Sequence, residues 1–210
     1  MLVNGKRASA GQQVNPAGDS VVVDGTPVKP PAANIYLLLN KPAGLITTTA
    51  DDLGRATVMQ LVERHPGLFP VGRLDRESRG LLLLTDDGAL AARLLHPRYH
   101  VEKEYRVLVC GRPSSEVLQR VREGVRVGPE QFSPAVVRLV RTSSDRSRLT
   151  MTIREGRKRE VRRIWEALGH PVLDLQRVRL GPLRLGDLPQ GSARRLRPDE
   201  VARLRQAAGL

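Results

Sequence analysis

Residues 71–88 read VGRLDRESRGLLLLTDDG, and an acid before the leucine run, Asp75, stands among Arg73, Arg76 and Arg79. Neighbouring guanidiniums favour the charged form of a carboxyl, so Asp75 is expected to be ionised at neutral pH and unable to act as a general acid. An ionised carboxylate at a loop-strand junction can serve as a nucleophile, as a base, or as an anchor that orients an arginine. A plain Asp–Arg clamp on a turn would use the same residues.

Two further segments carry candidate chemistry. In KEYRVLVC, residues 103–110, strand alternation puts Tyr105, Val107 and Val109 on one face, where Tyr105 is either a core residue or an aromatic platform for a base. In EGRKREVRRIWEALGH, residues 155–170, Val161, Ile164, Trp165 and Leu168 follow helical spacing and form a core stripe. At about 100° per residue Arg162 flanks that stripe and can reach a partly buried carboxylate, whereas Arg159 and Arg163 point roughly the other way and suit phosphate. The histidines at 65, 96, 100 and 170 lack metal-ligand spacing, and Cys110 is the single cysteine. Asp86 and Asp87 could be imagined on Mg²⁺ in a nuclease, but an acidic pair opening an apolar helix reads as a cap. The expectation is no metal and no other cofactor.

These residues must be held by a fold. IYLLLNKP and LLLLT read as buried strands, TVMQLVERH as a short helix, and residues 88–95 as a helix capped by Asp86 or Asp87. KEYRVLVCG reads as an alternating strand, 114–123 as a helix, 135–141 and 147–154 as paired strands, and 158–168 as a helix. Short strands at VLDLQRVRL and ARRLR precede a last helix opened by Pro198. Hairpin pairs interleaved with single helices define an α+β fold with a mixed, mainly antiparallel central sheet flanked by helices. Residues 1–28 alternate short apolar pieces with Asn-Gly, Pro-Ala-Gly-Asp and Asp-Gly turns, a small β-rich segment. With the linker KPPAAN the division is 1–32 and 33–210.

The 210 residues carry a formal net charge of +13, and only five of the 35 basic residues are lysines. A polyanion is the natural partner, and arginine's planar fork suits phosphate and base edges. No run approaches the ~18 apolar residues of a membrane span. The expectation is a cytoplasmic monomer without a membrane partner.

In their order, the three segments resemble the pseudouridine synthases, in particular the branch named for its small-subunit ribosomal RNA member. GRLDRESRGLLLLTDDG is similar to that family's catalytic signature, KEYRV to its tyrosine motif, and EGRKREVRRIWEALGHPVLDLQRVRLGPLRL to its basic third motif. The resemblance implies a pseudouridine synthase fold. It makes Asp75 the catalytic aspartate, Tyr105 the active-site aromatic, Arg162 the partner of the aspartate, and Arg73 a side chain that holds the target nucleotide out of its stack. Lys41 in LLLNKPAG, Arg159 and Arg163 would contact phosphates. Ser78 stands where threonine is frequent and Asp86 where asparagine is frequent, both outside the implied chemistry. Within the family, EGRKREVRRIWEALGH and RRLRPDEVARLR look most like members acting on large-subunit (23S) ribosomal RNA, free or in a ribosome assembly intermediate. Small-subunit (16S) and tRNA synthases, and a non-catalytic assembly factor, are the alternatives. VNGKRA and DSVVVDG are similar to the second half of an S4-type RNA-binding domain, whose two preceding helices have no counterpart in this sequence.

Overall fold

The computed structural model describes residues 1–15, 18–28 and 33–210. They form two compact units, Met1–Asn34 and Ile35–Leu210. Apart from Ala33 and Asn34, the expected linker lies outside the described residues.

In the first unit β1 (Leu2–Val3), β2 (Lys6–Arg7), β3 (Val21–Val23) and β4 (Thr26–Val28) make an antiparallel sheet in the order β2-β1-β3-β4. Its two tight hairpins turn on Asn4-Gly5 and Asp24-Gly25, all four residues at positive φ (51°, 76°, 50° and 78°). Two-residue loops of that conformation match the twist of paired strands, which is why Asn-Gly and Asp-Gly occupy them.

The second unit is built on one large sheet. Its strands are β5 (Tyr36–Lys41), β6 (Phe69–Pro70), β7 (Arg79–Thr85) and β8 (Lys103–Cys110). After a separate small hairpin, β9 (Arg126–Val127) with β10 (Glu130–Gln131), come β11 (Val136–Thr142), β12 (Arg146–Ile153), β13 (Val172–Leu180), β14 (Leu183–Arg184) and β15 (Ala193–Arg195). The order is β11-β12-β8-β13-β7-β5-β15, with β14 on β13 and β6 on β7. Every pairing between these strands is antiparallel except one, a short parallel contact in which Gln176 faces Arg79 and Arg177 faces Gly80. That contact joins two antiparallel half-sheets.

The halves differ in burial, and the sequence shows why. In the β5–β7 half, Leu37, Leu39, Leu82 and Leu84 enter one apolar core together with α2 (Ser115–Glu123) and α3 (Glu160–Ala167). Leu38, Leu81 and Leu83 enter a second core beneath α1 (Gly88–Leu95) and α4 (Pro198–Ala207). Each buried leucine contributes about 1.5–3 kcal/mol, so a strand covered on both faces carries an unbroken apolar run. The β8–β13 half is covered on one face only. Tyr105, Val107, Val109, Leu149, Met151 and Ile153 are buried, and the residues between them are not, giving the clean alternation of KEYRVLVC.

Gly80 makes the join possible. Its φ is +103°, and a Cβ there would stand 2.2 Å from the Arg177 carbonyl oxygen, so only glycine lets β7 and β13 approach this closely. Beside it Arg79 clamps Asp174 through both carboxylate oxygens at 2.9 and 2.6 Å.

Asp87 caps α1 by accepting the Leu90 N–H at 2.9 Å, while Asp86 accepts the Ile35 N–H at 2.8 Å. The helix expected over TVMQLVERH is instead a single 3-10 turn, Val58–Leu61, followed by Val62 in an extended conformation. The segment before Pro66 is short, so few helical hydrogen bonds could offset the cost of nucleation.

Candidate active site

Asp75 lies in the loop that enters β7 directly at the join between the half-sheets, with 29% of its side chain exposed. Segment 41–47 fixes the loop from below. The Lys41 ammonium donates to the backbone oxygens of Ser78 (2.7 Å), Pro42 (3.0 Å) and Asp75 (3.1 Å), with Arg76 farther off at 3.4 Å. Thr47 donates its hydroxyl to the Leu74 carbonyl at 2.8 Å and accepts the Leu74 N–H at 3.3 Å. The Gly44 N–H donates to the Arg76 carbonyl at 2.7 Å. The residue before Asp75 and those after it are therefore tethered, leaving its carboxylate as the free end of a rigid turn.

Lys41 does not contact phosphate as expected. It is fully buried, and its ammonium is consumed by the loop carbonyls. Burial pulls its pKa down to about 8, against the opposing pull of the Asp75 and Glu77 charges.

The cations near Asp75 also differ from those adjacent in sequence. Arg76 donates to the Gly44 carbonyl, Arg79 is engaged by Asp174, and exposed Arg73 has no side-chain partner among the described residues. The neighbouring charges come from the start of α3. Arg162 Nε stands 3.8 Å and Arg159 Nη1 3.9 Å from Asp75 Oδ2. Arg162 is the inner of the two, with 11% of its side chain exposed, and donates to the Val172 carbonyl (3.2 Å) and to the Ser78 hydroxyl (3.4 Å). Ser78 thus touches the site after all. The buried Nε of Arg162 has no hydrogen-bond partner among the described residues, and at 3.8 Å from Asp75 it stands beyond hydrogen-bond distance.

Arg159 faces Asp75, contrary to the helical rotation assumed for it. The helix begins at Glu160, two residues after the expected start, and Arg159 is its left-handed cap at φ 53°. From there the side chain turns toward Asp75 and donates to Glu77 at 3.2 Å. Arg163 does lie elsewhere, paired with Glu130 at 2.9 Å and stacked over Phe132.

Tyr105 projects from β8 into the first apolar core, 7% exposed. Burial raises its pKa and keeps it a neutral phenol, although Arg177 pulls the other way. Asp75 and Glu160 act on the same hydroxyl as nearby negative charges. Arg177, opposite Tyr105 on β13, is a site residue that the sequence pattern did not reveal. It is 3% exposed and donates from Nε to the Leu81 carbonyl at 2.7 Å across the join, leaving one buried Nη without a hydrogen-bond partner among the described residues. Its only sequence signal is an arginine at an inward strand position two residues after Leu175. Thr47 and Gly44 gave no signal beyond their place after Lys41.

A tethered carboxylate, an inner guanidinium, and a buried phenol with its own arginine converge where the half-sheets meet. Comparison with known proteins specifies the family that this fold defines. The RNA pseudouridylate synthase family matches residues 35–167, and the chain belongs to that family. It is 43% identical to an uncharacterised RNA pseudouridine synthase of Aquifex aeolicus, covering 99% of this chain and 84% of the relative. It is 41% identical to the ribosomal large subunit pseudouridine synthase B of Bacillus subtilis, covering 98% and 85%. Among solved structures, a crystal structure of a pseudouridylate synthase superposes with TM-score 0.73 at 30% identity, over 97% of this chain and 87% of that one.

Proposed function

We propose that this enzyme isomerises uridine to pseudouridine in ribosomal RNA, and that its target lies in the large-subunit (23S) molecule. The observation that carries the reaction is the Asp75–Arg162 pair at the join of the half-sheets, where Arg177 faces Gly80 on one side and Tyr105 on the other. The choice of RNA is supported by the Bacillus subtilis relative and by a second relative of the same printed name in Pseudomonas aeruginosa, 38% identical to this chain. In the reaction the C1′–N1 glycosidic bond breaks, the uracil turns, C5 bonds to C1′, and the C5 proton leaves as N1 gains one. Product and substrate are isomers, so the step consumes no oxidant, reductant or water.

A stacked nucleotide hides its C1′, so the uridine must be extruded at a cost of a few kcal/mol. Arg73, exposed and without a side-chain partner among the described residues, would fill the gap. Asp75 acts at the sugar or base, Arg162 sets its direction, and the Tyr105 ring packs against the uracil. Arg159 is near enough to both Asp75 and solvent to meet the phosphate of the extruded nucleotide. We read the enzyme as a cytoplasmic monomer that meets its RNA free or in an assembling particle, with residues 1–32 as part of an S4-like RNA-binding segment.

Asp75→Asn keeps the side chain's size and removes its charge. The purified variant should fold, bind RNA and form no pseudouridine, measured by mass spectrometry of digested RNA, and product from it would remove Asp75 from the catalytic role. Mapping pseudouridines in ribosomal RNA from cells lacking the gene should show a missing site in 23S RNA. A loss confined to 16S RNA or tRNA would overturn the large-subunit assignment.

A further inference from the structure

The β8–β13 half-sheet has a second face, turned away from Tyr105 and the first core. Strand register defines its population. Arg106 on β8 and Arg138 on β11 both lie opposite Thr150 of β12, on either side of it. Arg148, two residues before Thr150, lies opposite Leu108 on one side and Arg141 on the other. All four arginines are exposed, and none has a side-chain hydrogen bond or ion pair among the described residues. The acids at the margins of this face are already engaged: Asp174 by Arg79, Glu104 by Arg179, and Asp145 by Arg146.

We infer that Arg106, Arg138, Arg141 and Arg148 form a second RNA-binding surface, which grips the phosphate backbone of the substrate outside the target nucleotide. Like charges set across neighbouring strands repel one another, so this cluster does nothing for the fold alone. Strands lie about 4.8 Å apart, which puts Arg106 and Arg138 roughly 10 Å apart at the backbone, and their long side chains can engage separate phosphates. Between them stand Thr150 and Leu108, with no aromatic ring. Sheet surfaces that read bases do so by stacking them on aromatics, and protein interfaces centre on buried aromatic anchors. An array of guanidiniums without rings fits a charged backbone and is indifferent to sequence.

The test is the combined variant R106Q/R138Q/R148Q, titrated against a 20-base-pair RNA duplex of arbitrary sequence at several KCl concentrations. Its affinity at about 0.1 M salt should fall at least tenfold, and the log–log salt slope should become shallower by about 2 to 3. Its thermal midpoint should not fall, because the substitutions relieve repulsion. On an RNA that the wild type modifies, KM should rise while kcat at saturation stays within twofold. A variant with the wild-type slope and affinity would overturn the assignment, as would one whose lost binding follows lost folding. The surface stands or falls apart from the reaction: Asp75→Asn should keep the wild-type salt slope while making no product.

Discussion

Lys41 is fully buried and holds the Asp75 loop by its backbone oxygens. Its folded pKa of about 8 lies below the ordinary lysine value of about 10.4, so the unfolded chain binds more protons between these limits. Charging it therefore opposes folding, fully below pH 8 and less as the pH climbs toward the unfolded value. What the ammonium supplies is position, through three backbone oxygens of the Asp75 loop and its own neighbour. Lys41→Met removes both a buried charge and these donors, effects of opposite sign, so stability by urea unfolding should change by no more than about 2 kcal/mol. Turnover should drop at least tenfold as the loop relaxes, and unchanged turnover would mean that Thr47 and Gly44 suffice to hold it. At this scale the sequence was legible where chemistry is rare: an acid among arginines and a tyrosine on an alternating strand stand out. It was opaque where the type is common, since nothing separates inward Arg177 from the other arginines of so basic a chain. Lys41 misled because lysine is ordinarily a surface charge.

Elements were legible where burial imposes a period. The unbroken leucines of β7, the alternation of β8 and the amphipathic stripe of α3 each follow from the number of covered faces. Their ends were less so, and one residue at the start of α3 decides whether Arg159 faces Asp75 or away from it. Two predictions belong here. Gly80→Ala would set a methyl group against the Arg177 carbonyl at a positive φ, and should cost at least about 3 kcal/mol or abolish soluble expression. Unchanged stability would show that β7 and β13 can part without harm. In α4, Glu200 accepts both Arg194 nitrogens at 2.7 Å and the Arg197 N–H at 2.9 Å, and its pKa falls to about 2, chiefly through Arg194. A depressed carboxyl stabilises the fold above its unfolded pKa of about 4.3, and that contribution is lost as pH drops toward 2. Glu200→Gln should be about 1.5–3 kcal/mol less stable at pH 7. The deficit should shrink through pH 4 and vanish near pH 2, and a constant deficit would assign it to packing instead.

At the scale of the whole molecule, charge foretold the class of partner, and RNA is the substrate class of the family. The sheet order could not be foreseen, because β13 returns between β8 and β7 through contacts that no local pattern encodes. That late return has a kinetic consequence. Arg79 and Asp174, which clamp the join, are 95 residues apart in the chain, whereas β11 and β12 are neighbours in sequence. Closing so long a loop carries an entropic cost that local hairpins escape, so each half should acquire its secondary structure before the two dock. In refolding from urea, far-ultraviolet ellipticity should recover ahead of pseudouridine formation, with the tryptophan signal of Trp165 reporting one side of the assembly. Simultaneous recovery would mean that the halves never exist apart, and that the enzyme is born competent in a single step.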